Sequence, residues 1–345
     1  MITDLRSDTV TRPGRDMLDF MFSARVGDMV LDEDPMVNQL EDYTAKLFKK
    51  EAGLFCPSGT MTNQIAVKLH TQPGDDVICS KLAHIYLYEG GGIAFNSGAS
   101  VTLIDTPDGI FSLDDVISSV QPDDPHRPRT SLVSLENTVN RGGGAIWDIE
   151  TISAISDFCG KSKLACHLDG ARIFNAIVES GYSAGEIGSK FDTVSICLSK
   201  GLGAPVGSVL TGSSEAIARG KRFRKVLGGT MRQAGYLAAA GIYALQNNID
   251  RLSIDHTHAR AIAEALQEVN WVKSVMGVES NIIIFEVADG INAGDIVSML
   301  HKKDILSSSP TGRTLRFVTH LDITSRMVEK VISVIKTLNP WNSLK

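Results

Sequence analysis

A lysine and an aspartate, each placed at the end of an apolar run, have the clearest chemical potential in this sequence. Lys200 lies in Ser-Lys-Gly-Leu-Gly at 199–203, and Asp169 lies in His-Leu-Asp-Gly-Ala-Arg at 167–172. A lysine can hold an aldehyde as a Schiff base, and a carboxylate can hold the proton of a pyridinium nitrogen so that the ring accepts a carbanion's electrons. Together the two residues predict a pyridoxal phosphate site, whereas either one alone would more often be an ordinary loop or turn residue.

The elements that must carry these two residues are predicted by the apolar pattern. Residues 164–168 and 193–198 are typical of short buried strands, and residues 171 to about 188 can form the crossover helix between them. Ligands of open α/β sheets bind outside the carboxyl ends of the strands, which is where Asp169 and Lys200 would lie. The pattern therefore favours a single site that contains both residues.

Two further segments could complete the same pocket. A helix predicted to begin at Ser58-Gly59-Thr60 offers backbone N–H groups and the positive end of its dipole to a phosphate, although simple N-capping has the same sequence pattern. His84 follows the predicted strand 76–80 and could stack on a pyridine ring and exchange protons with a substrate. A surface or capping role is the alternative for this histidine.

Two arginines are candidates for binding the carboxylate of an amino-acid substrate. The guanidinium groups of Arg172 and Arg316 match a carboxylate with two parallel hydrogen bonds. For Arg316 the alternative is a salt bridge within the second domain. For Arg172 the alternatives are packing at a helix start or an ion pair with Asp169, three residues before it.

The composition indicates a soluble globular protein that acts on small molecules. The chain has 345 residues, 43% of them hydrophobic and 21% charged, which suffices for a large core and two domains. A net charge of -6 without any basic run argues against a nucleic-acid partner. No apolar stretch approaches the roughly 18 residues of a membrane span, and the first residues lack an apolar signal core, so we expect a cytoplasmic protein without a membrane partner.

The cysteines predict neither a disulfide framework nor a metal site. They are odd in number, scattered, and never form a Cys-x-x-Cys sequence. We expect buried free thiols and no metal. The five are Cys56, Cys79, Cys159, Cys166 and Cys197.

The fold class predicted by the alternating patterns is α/β, with a mostly parallel sheet in a large domain over 1–249 and a small α+β domain over 250–345. We expect the N-terminal segment to contribute to the active site and the substrate to lie between the two domains. Helices are predicted at 234–245, 252–269, 293–300 and 325–338, and strands at 280–286 and 314–319.

Several motifs in order resemble those of the threonine aldolases, which are pyridoxal phosphate enzymes of the aspartate aminotransferase fold type. The resemblance covers most of the chain, and its opening octet is the most diagnostic part because general fold physics does not require it. The motifs are Asp-Leu-Arg-Ser-Asp-Thr-Val-Thr at 4–11, Ser-Gly-Thr-Met-Thr-Asn at 58–63, His84 with Tyr88-Glu89, Leu-Val-Ser-Leu-Glu-Asn-Thr at 132–138, the sequences around Asp169 and Lys200, Met-Arg-Gln-Ala-Gly at 231–235, and Arg-Phe-Val-Thr-His-Leu-Asp at 316–322.

The resemblance implies a role for each cofactor residue. Lys200 would carry the Schiff base, Asp169 would hold the pyridinium proton, and His84 would stack on the ring. Gly59 and Thr60 would receive the phosphate, at the helix start that Ser58 opens.

The resemblance also implies a substrate grip and contributions near the phosphate. Ser7, Arg172 and Arg316 would bind the substrate carboxylate, and Arg172 would also lie against the cofactor. Arg232 and Lys225 would lie near the cofactor phosphate, across a subunit interface of a homotetramer built as a dimer of dimers.

The implied reaction is a retro-aldol cleavage of L-threonine or L-allo-threonine to glycine and acetaldehyde, or of a related β-hydroxy-α-amino acid to another aldehyde. His126 in Asp-Pro-His-Arg at 124–127 matches a histidine near the substrate's β-hydroxyl, so His84, His126 or a water that they orient could remove the hydroxyl proton. The resemblance favours L substrates with loose discrimination at the β-carbon. A β-eliminating lyase of the same fold and a non-catalytic binding protein are the alternatives, and a dinucleotide-dependent dehydrogenase is disfavoured because 201–203 lacks the third glycine.

Overall fold

The computed structural model describes residues 1–341 of the chain. Short 3-10 or π segments lie at Asp8–Val10, Met29–Leu31 and Ile93–Ser97. The strands and helices in chain order are β1 Thr3–Asp4, α1 Arg15–Phe22, α2 Pro35–Leu47, β2 Ala52–Cys56, α3 Gly59–His70, β3 Asp75–Ser80, α4 His84–Leu87, β4 Ser100–Ile104, α5 Leu113–Ser119, β5 Arg129–Glu136, α6 Ile149–Ser162, β6 Ala165–Gly170, α7 Ile173–Ser180, α8 Ala184–Gly188, β7 Thr193–Cys197, β8 Ser208–Gly212, α9 Ser214–Val226, α10 Gly235–Asn247, α11 Leu252–Gln267, β9 Val272–Val275, β10 Ile282–Val287, α12 Ala293–His301, β11 Ile305–Leu306, β12 Thr314–Val318 and α13 Ser325–Thr337.

Seven strands form the large sheet, in the order β2-β8-β7-β6-β5-β3-β4. The pairs from β4 to β7 are parallel, and β8 runs antiparallel to both of its neighbours. Strands β3 and β7 are buried at every position, as expected for a parallel sheet covered by helices on both faces. The α/β fold class predicted from the sequence is thereby confirmed.

The register of the sheet gathers the candidate residues at one edge. Asp169 on β6 pairs with Glu136 on β5 and with Ser195 on β7. Lys200 follows β7 and His84 follows β3, so the loops after four neighbouring parallel strands meet above the same carboxyl ends.

A second core surrounds the antiparallel sheet β12-β10-β9. Helices α11 and α13 pack on each other beside this sheet, and Trp271 and Phe285 lie in its interior. Strand β1 pairs in parallel with β11, and Leu5 is buried in this second core. The first residues therefore pack with the C-terminal part of the chain, although the sequence analysis places them with the large domain.

The predicted elements agree with the structure to within about two residues at each end, except for one helix. The crossover predicted over 171–188 consists of two helices, because Gly181 ends α7 in the left-handed region at φ 78°. Ser183 then caps α8 by accepting the N–H of Glu186.

Candidate active site

A cleft of about 460 Å³ opens at the carboxyl edge of the large sheet. Its walls come from the large sheet's loops, from the N-terminal segment and from the stretch that leads into and includes β12. Four of its residues are cationic, and the described residues that line it include no aspartate or glutamate, so the cleft attracts anions. The lining residues are Ser7, Thr9, His84, Tyr88, Asn140, Arg141, Arg172, Lys200, Ser308, Ser309, Pro310 and Arg316.

Lys200 is held in this cleft by the turn that follows β7. Gly203 adopts a positive φ of 81°, and Asn248 Nδ2 donates a hydrogen bond of 2.7 Å to the Leu202 carbonyl. The Lys200 amine makes no hydrogen bond with any residue from 1 to 341. A lysine in this position is available to form a covalent bond with an aldehyde.

Asp169 is buried beneath the cleft at the end of β6. Asn63 Nδ2 donates to Asp169 Oδ2 at 2.8 Å, and the N–H of Ala171 donates to Oδ1 at 3.2 Å. A ring nitrogen of His84, a carboxylate oxygen of Glu89 and one of Asp169 all lie within 4.8 Å of one another. Each Asp169 oxygen has a lone pair to spare, so the carboxylate can accept a further proton-bearing nitrogen.

His84 lies at the start of α4 with its ring about one third exposed. Its backbone N–H donates to Glu136 Oε2 at 2.7 Å, and its Nδ1 is 2.9 Å from Glu89 Oε1. The Tyr88 ring lies beside it, with centroids 5.6 Å apart. Burial lowers the pKa of the imidazole, but the Glu89 hydrogen bond and the charges of Asp169, Glu89 and Glu136 outweigh it and raise the pKa above its ordinary value.

Glu136 links the His84 backbone to the opposite wall of the cleft. Its other oxygen, Oε1, accepts the N–H of Asn140 at 2.9 Å, and Asn140 Oδ1 accepts from Arg316 Nη1 at 3.0 Å. Burial and then the charge of Asp169 raise the pKa of Glu136 to about 7, against the effect of the two N–H donors.

Arg172 is committed to a buried partner that the sequence analysis did not identify. Its Nε and Nη2 donate to the two oxygens of Asp8, each at 2.7 Å, so the predicted alternative of a pair with Asp169 is wrong. Burial alone would raise the pKa of Asp8, but the charge and hydrogen bonds of Arg172 lower it to about 2. Arg172 Nη1 has no hydrogen-bond partner within residues 1–341, and the residue lines the cleft.

Arg316 has donors left for a ligand. Its Nη2 donates to the Arg6 carbonyl at 3.0 Å, while its buried Nε finds no partner in the described chain. Burial and the charge of Arg172 lower its pKa, although an arginine remains charged at neutral pH. An anion in the cleft would accept from the second N–H of Nη1 or Nη2 and offset the repulsion between the two arginines.

The first turn of α3 has the features of a phosphate site. Ser58 caps this 12-residue helix by accepting the N–H of Met61 at 3.2 Å, and Ser58 and Thr60 are exposed. Ser208 Oγ is buried without a hydrogen-bond partner among the described residues, and a Cβ added to Gly59 would lie 3.4 Å from it. The unpaired hydroxyl and the free N–H groups fit a phosphate, and Asn63 lies one turn further along the same helix.

The predicted phosphate residues Ser58, Gly59 and Thr60 are not among the residues that line the cleft, and three further predicted site residues lie away from it within one chain. His126 is 90% exposed, ahead of β5 and therefore at the opposite edge of the sheet, and it is bound to Asp124 at 2.8 Å. Arg232 is exposed and pairs with Asp28, and Lys225 is exposed near the end of α9. A role for them at the cleft requires a second subunit.

Several residues of the candidate site were not identified from the sequence, although all of them except Asn140 lie in the motifs given above. A buried carboxylate or amide has no distinctive spacing, because its partners come from distant parts of the chain. The only sequence signal for them is a group of polar residues within an otherwise apolar segment, as in 58–63 and 132–138. They are Asp8, Asn63, Glu89, Glu136 and Asn140.

Comparison with known proteins gives the same indication as the geometry. Residues 4–290 match the model of a family described as beta-eliminating lyases. A low specificity L-threonine aldolase of Escherichia coli K12 is 45% identical over 95% of this chain and 96% of its own length. Low-specificity L-threonine aldolase 1 of Arabidopsis thaliana is 39% identical over 96% of this chain and 94% of its own.

Solved structures share the fold at lower identity. A threonine aldolase from Leishmania major superposes with a TM-score of 0.84 at 20% identity, over 97% of this chain and 98% of that one. A serine palmitoyltransferase from Sphingomonas wittichii gives a TM-score of 0.76 at 15% identity, over 99% of this chain and 88% of that one. At these identities the structures establish the fold alone.

Proposed function

This chain belongs to the beta-eliminating lyase family and to the low-specificity L-threonine aldolases within it, and we propose that it cleaves L-threonine and L-allo-threonine to glycine and acetaldehyde. The observation that carries the proposal is that Lys200 and Arg316 face one cationic cleft with Asp169 buried beneath it. The cleft thus combines an amine for an aldehyde cofactor with a site for an amino-acid carboxylate.

Pyridoxal phosphate is the cofactor that this family carries, and the residues present fit it. Lys200 would bind its aldehyde, Asp169 would hold its ring nitrogen, and the first turn of α3 with Ser58 and Thr60 would receive its phosphate. When bound, the cofactor accepts the electron pair that the broken Cα–Cβ bond leaves on Cα.

The side chains of the cleft then hold the substrate and move one proton. Arg316, with Ser7 and the free Nη1 of Arg172, binds the α-carboxylate and thereby orients the Cα–Cβ bond. His84 is the histidine that lines the cleft among the described residues, and it takes the proton of the β-hydroxyl directly or through a water. Loss of that proton turns the hydroxyl into the carbonyl of the departing aldehyde.

The test is a product assay with matched variants. Purified protein supplied with pyridoxal phosphate should release acetaldehyde and glycine from L-threonine and L-allo-threonine. Lys200→Ala should lower turnover by at least about a thousandfold, since covalent catalysis is lost, whereas Lys302→Ala on the exposed end of α12 should leave it unchanged. Release of pyruvate and ammonia instead of an aldehyde would identify a β-eliminating lyase and refute the proposal.

A homotetramer with active sites at subunit interfaces is proposed with this activity. Support comes from large apolar side chains between 64% and 89% exposed, namely Phe22, Leu31, Phe95 and Val226, which a partner would cover. A partner would also bring Lys225 and Arg232 to the cofactor phosphate. Light scattering after gel filtration should give four times the 37.2 kDa chain mass, and a monomer would contradict the proposal.

A cytoplasmic location is also proposed. All five cysteines are buried and free, which suits a reducing compartment. None of the helices within residues 1–341 is long and apolar enough to cross a membrane. Fractionation of the source cells, with the protein detected by antibody, would test the location.

A further inference from the structure

We propose that Glu89 is the positioning residue that keeps the ring proton of His84 on Nδ1, so that the Nε2 lone pair faces the cleft and can accept the proton of the β-hydroxyl. The catalytic half of this proposal rests on the proposed aldolase activity. The structural half concerns the side chains alone, and it can be tested without turnover.

The carboxylate of Glu89 receives three side-chain N–H donors. Its side chain is 0% exposed. Oε1 is 2.9 Å from His84 Nδ1 and 2.9 Å from Asn63 Nδ2, and Oε2 accepts from Gln64 Nε2 at 2.6 Å. Each of the three contacts needs the Glu89 carboxylate to be a hydrogen-bond acceptor.

The orientation of Asn63 follows from its neighbours. Its Nδ2 lies between two carboxylates and donates to Glu89 at 2.9 Å and to Asp169 at 2.8 Å. Turning the amide would place its oxygen against both anions, so the NH2 group must face them. Both N–H bonds are then used, and Asn63 has none left for any other acceptor.

The other side of Asn63 is consistent with this assignment. Its Oδ1 is 3.2 Å from His167 Nε2, which must therefore carry a proton. Burial lowers the pKa of His167 to about 4, so the ring is neutral and its Nδ1 accepts from Thr193 Oγ1 at 2.9 Å. One arrangement of protons thus satisfies the side-chain contacts from the Thr193 hydroxyl to Glu89, and in it the Thr193 carbonyl, 3.1 Å from His167 Nδ1, receives no proton from that nitrogen.

His84 has one way to fit that arrangement. Because Glu89 is an acceptor, Nδ1 must bear the proton, and Nε2 of the neutral ring is an acceptor with no hydrogen-bond partner in the described part of the chain. The charged groups that act on the ring are Glu89 at its Nδ1, Asp169 beneath it and Glu136 at its backbone. All three are acidic, so each favours a ring that can receive a proton.

The variant Glu89→Gln distinguishes an effect of the Glu89 carboxylate on His84 from a purely structural role of this side chain. The amide oxygen of the variant can keep His84 and Asn63, while its NH2 group meets the donor Gln64 Nε2, so the fold is disturbed only at Gln64. The negative charge beside His84 is lost. We expect kcat to fall about 10- to 100-fold, the range found for hydrogen-bond partners of metal-ligating histidines, and KM to change little, because Arg316 still binds the carboxylate.

The pH dependence provides a readout that packing alone would not change. The acid limb of kcat should move to lower pH in Glu89→Gln, since the removed charge raises the His84 pKa in the native protein. The control is Glu215→Gln on the exposed start of α9, which should match the native profile. An acid limb that does not move in Glu89→Gln would overturn the proposal, because the Glu89 carboxylate would then not act on the His84 ring.

A second readout does not depend on catalysis. Diethyl pyrocarbonate acylates only neutral imidazole, so the pH dependence of His84 modification in the full-length protein, followed by peptide mass spectrometry, reports the ring's protonation. Its midpoint should fall in Glu89→Gln, and an unmoved midpoint would contradict the proposal. If the native protein shows no aldolase activity, the proposed function fails while this measurement still tests Glu89.

Native protein alone suffices if the variant does not fold. Imidazole ¹⁵N shifts of histidine-labelled protein, with His84 assigned by its absence in His84→Asn, distinguish the two neutral tautomers. The proposal requires the form protonated on Nδ1 above the midpoint of the titration. A ring protonated on Nε2 there would refute it.

Discussion

Replacing Asp8 by asparagine should destabilise the protein strongly, because it leaves Arg172 as a buried charge without its counterion. Asp8 is fully buried, the Arg172 side chain is 5% exposed, and the pair shares two hydrogen bonds of 2.7 Å. The asparagine side chain would keep one acceptor but would present an NH2 group to a guanidinium donor. The guanidinium cannot neutralise itself by losing a proton at any accessible pH.

Two quantities bound the expected loss of unfolding free energy in Asp8→Asn. The pKa of Asp8 falls from 3.8 to about 2, which corresponds to about 2 kcal/mol of stability at neutral pH. Breaking a buried ion pair by removing one partner typically costs about 3 to 5 kcal/mol, since the remaining charge loses its compensation. We expect Asp8→Asn to lose about 3 kcal/mol of unfolding free energy at pH 7.

Urea unfolding at fixed protein and cofactor concentration measures the loss, with Asp123→Asn on an exposed loop as the control. The sign of the pH effect follows from the lowered pKa. The stabilisation by Asp8 is present above its unfolded pKa of 3.8 and is lost as the pH falls through about 2. The difference between native protein and Asp8→Asn should therefore shrink toward pH 2. A difference below about 0.5 kcal/mol at pH 7, the range of ordinary surface changes, would refute the reasoning.

Three further predictions concern other parts of the site. Arg316→Lys should raise KM for L-threonine about tenfold or more with a smaller change in kcat, since a lysine cannot bind a carboxylate through two parallel hydrogen bonds; an unchanged KM in steady-state assays would contradict this role. Glu136→Gln should be less destabilising at pH 8 than at pH 5 in urea unfolding. The pKa of the native carboxyl is raised to about 7, so this group stabilises the fold below pH 4.5 and loses that contribution as the pH rises through 7. A difference in unfolding free energy that does not vary with pH would refute this prediction. His126→Ala should leave the unfolding free energy within about 0.5 kcal/mol of native, because the side chain is exposed. It should also leave turnover within about threefold, because His84 is the base. A larger loss of turnover would mean that a partner subunit supplies His126 to the cleft.

The sequence predicted the parts of this protein that depend on local pattern. Apolar runs bounded by turns located the strands, and the rule that ligands bind at the carboxyl ends of parallel strands brought Asp169 and Lys200 to one edge. The exception was the crossover helix, because Gly181 permits a left-handed helix end that apolar periodicity does not register.

Contacts between distant parts of the chain could not be predicted in the same way. Asp8 and Arg172 are separated by more than half of the large domain's sequence, and neither position has a spacing that signals the other. Similarly, His126 is a histidine and could act as a base, but it precedes β5 and therefore lies at the opposite edge of the sheet from His84. Residue type and motif identify candidates, while the sheet topology decides which of them meet.

The placement of acidic groups explains how a cationic cleft can be stable without losing its attraction for anions. Asp8, Glu89, Glu136 and Asp169 are all buried below the cleft, and none is among the described residues that line it. Each of the first three orients a group above it: Asp8 holds Arg172, Glu89 holds the His84 ring, and Glu136 holds the His84 backbone and, through Asn140, Arg316. Acidic side chains at the surface of the cleft would instead repel a substrate carboxylate and a cofactor phosphate. The buried acidic residues therefore fix the geometry of the site by hydrogen bonds, while the cationic residues that line the cleft keep the positive potential that anion binding requires.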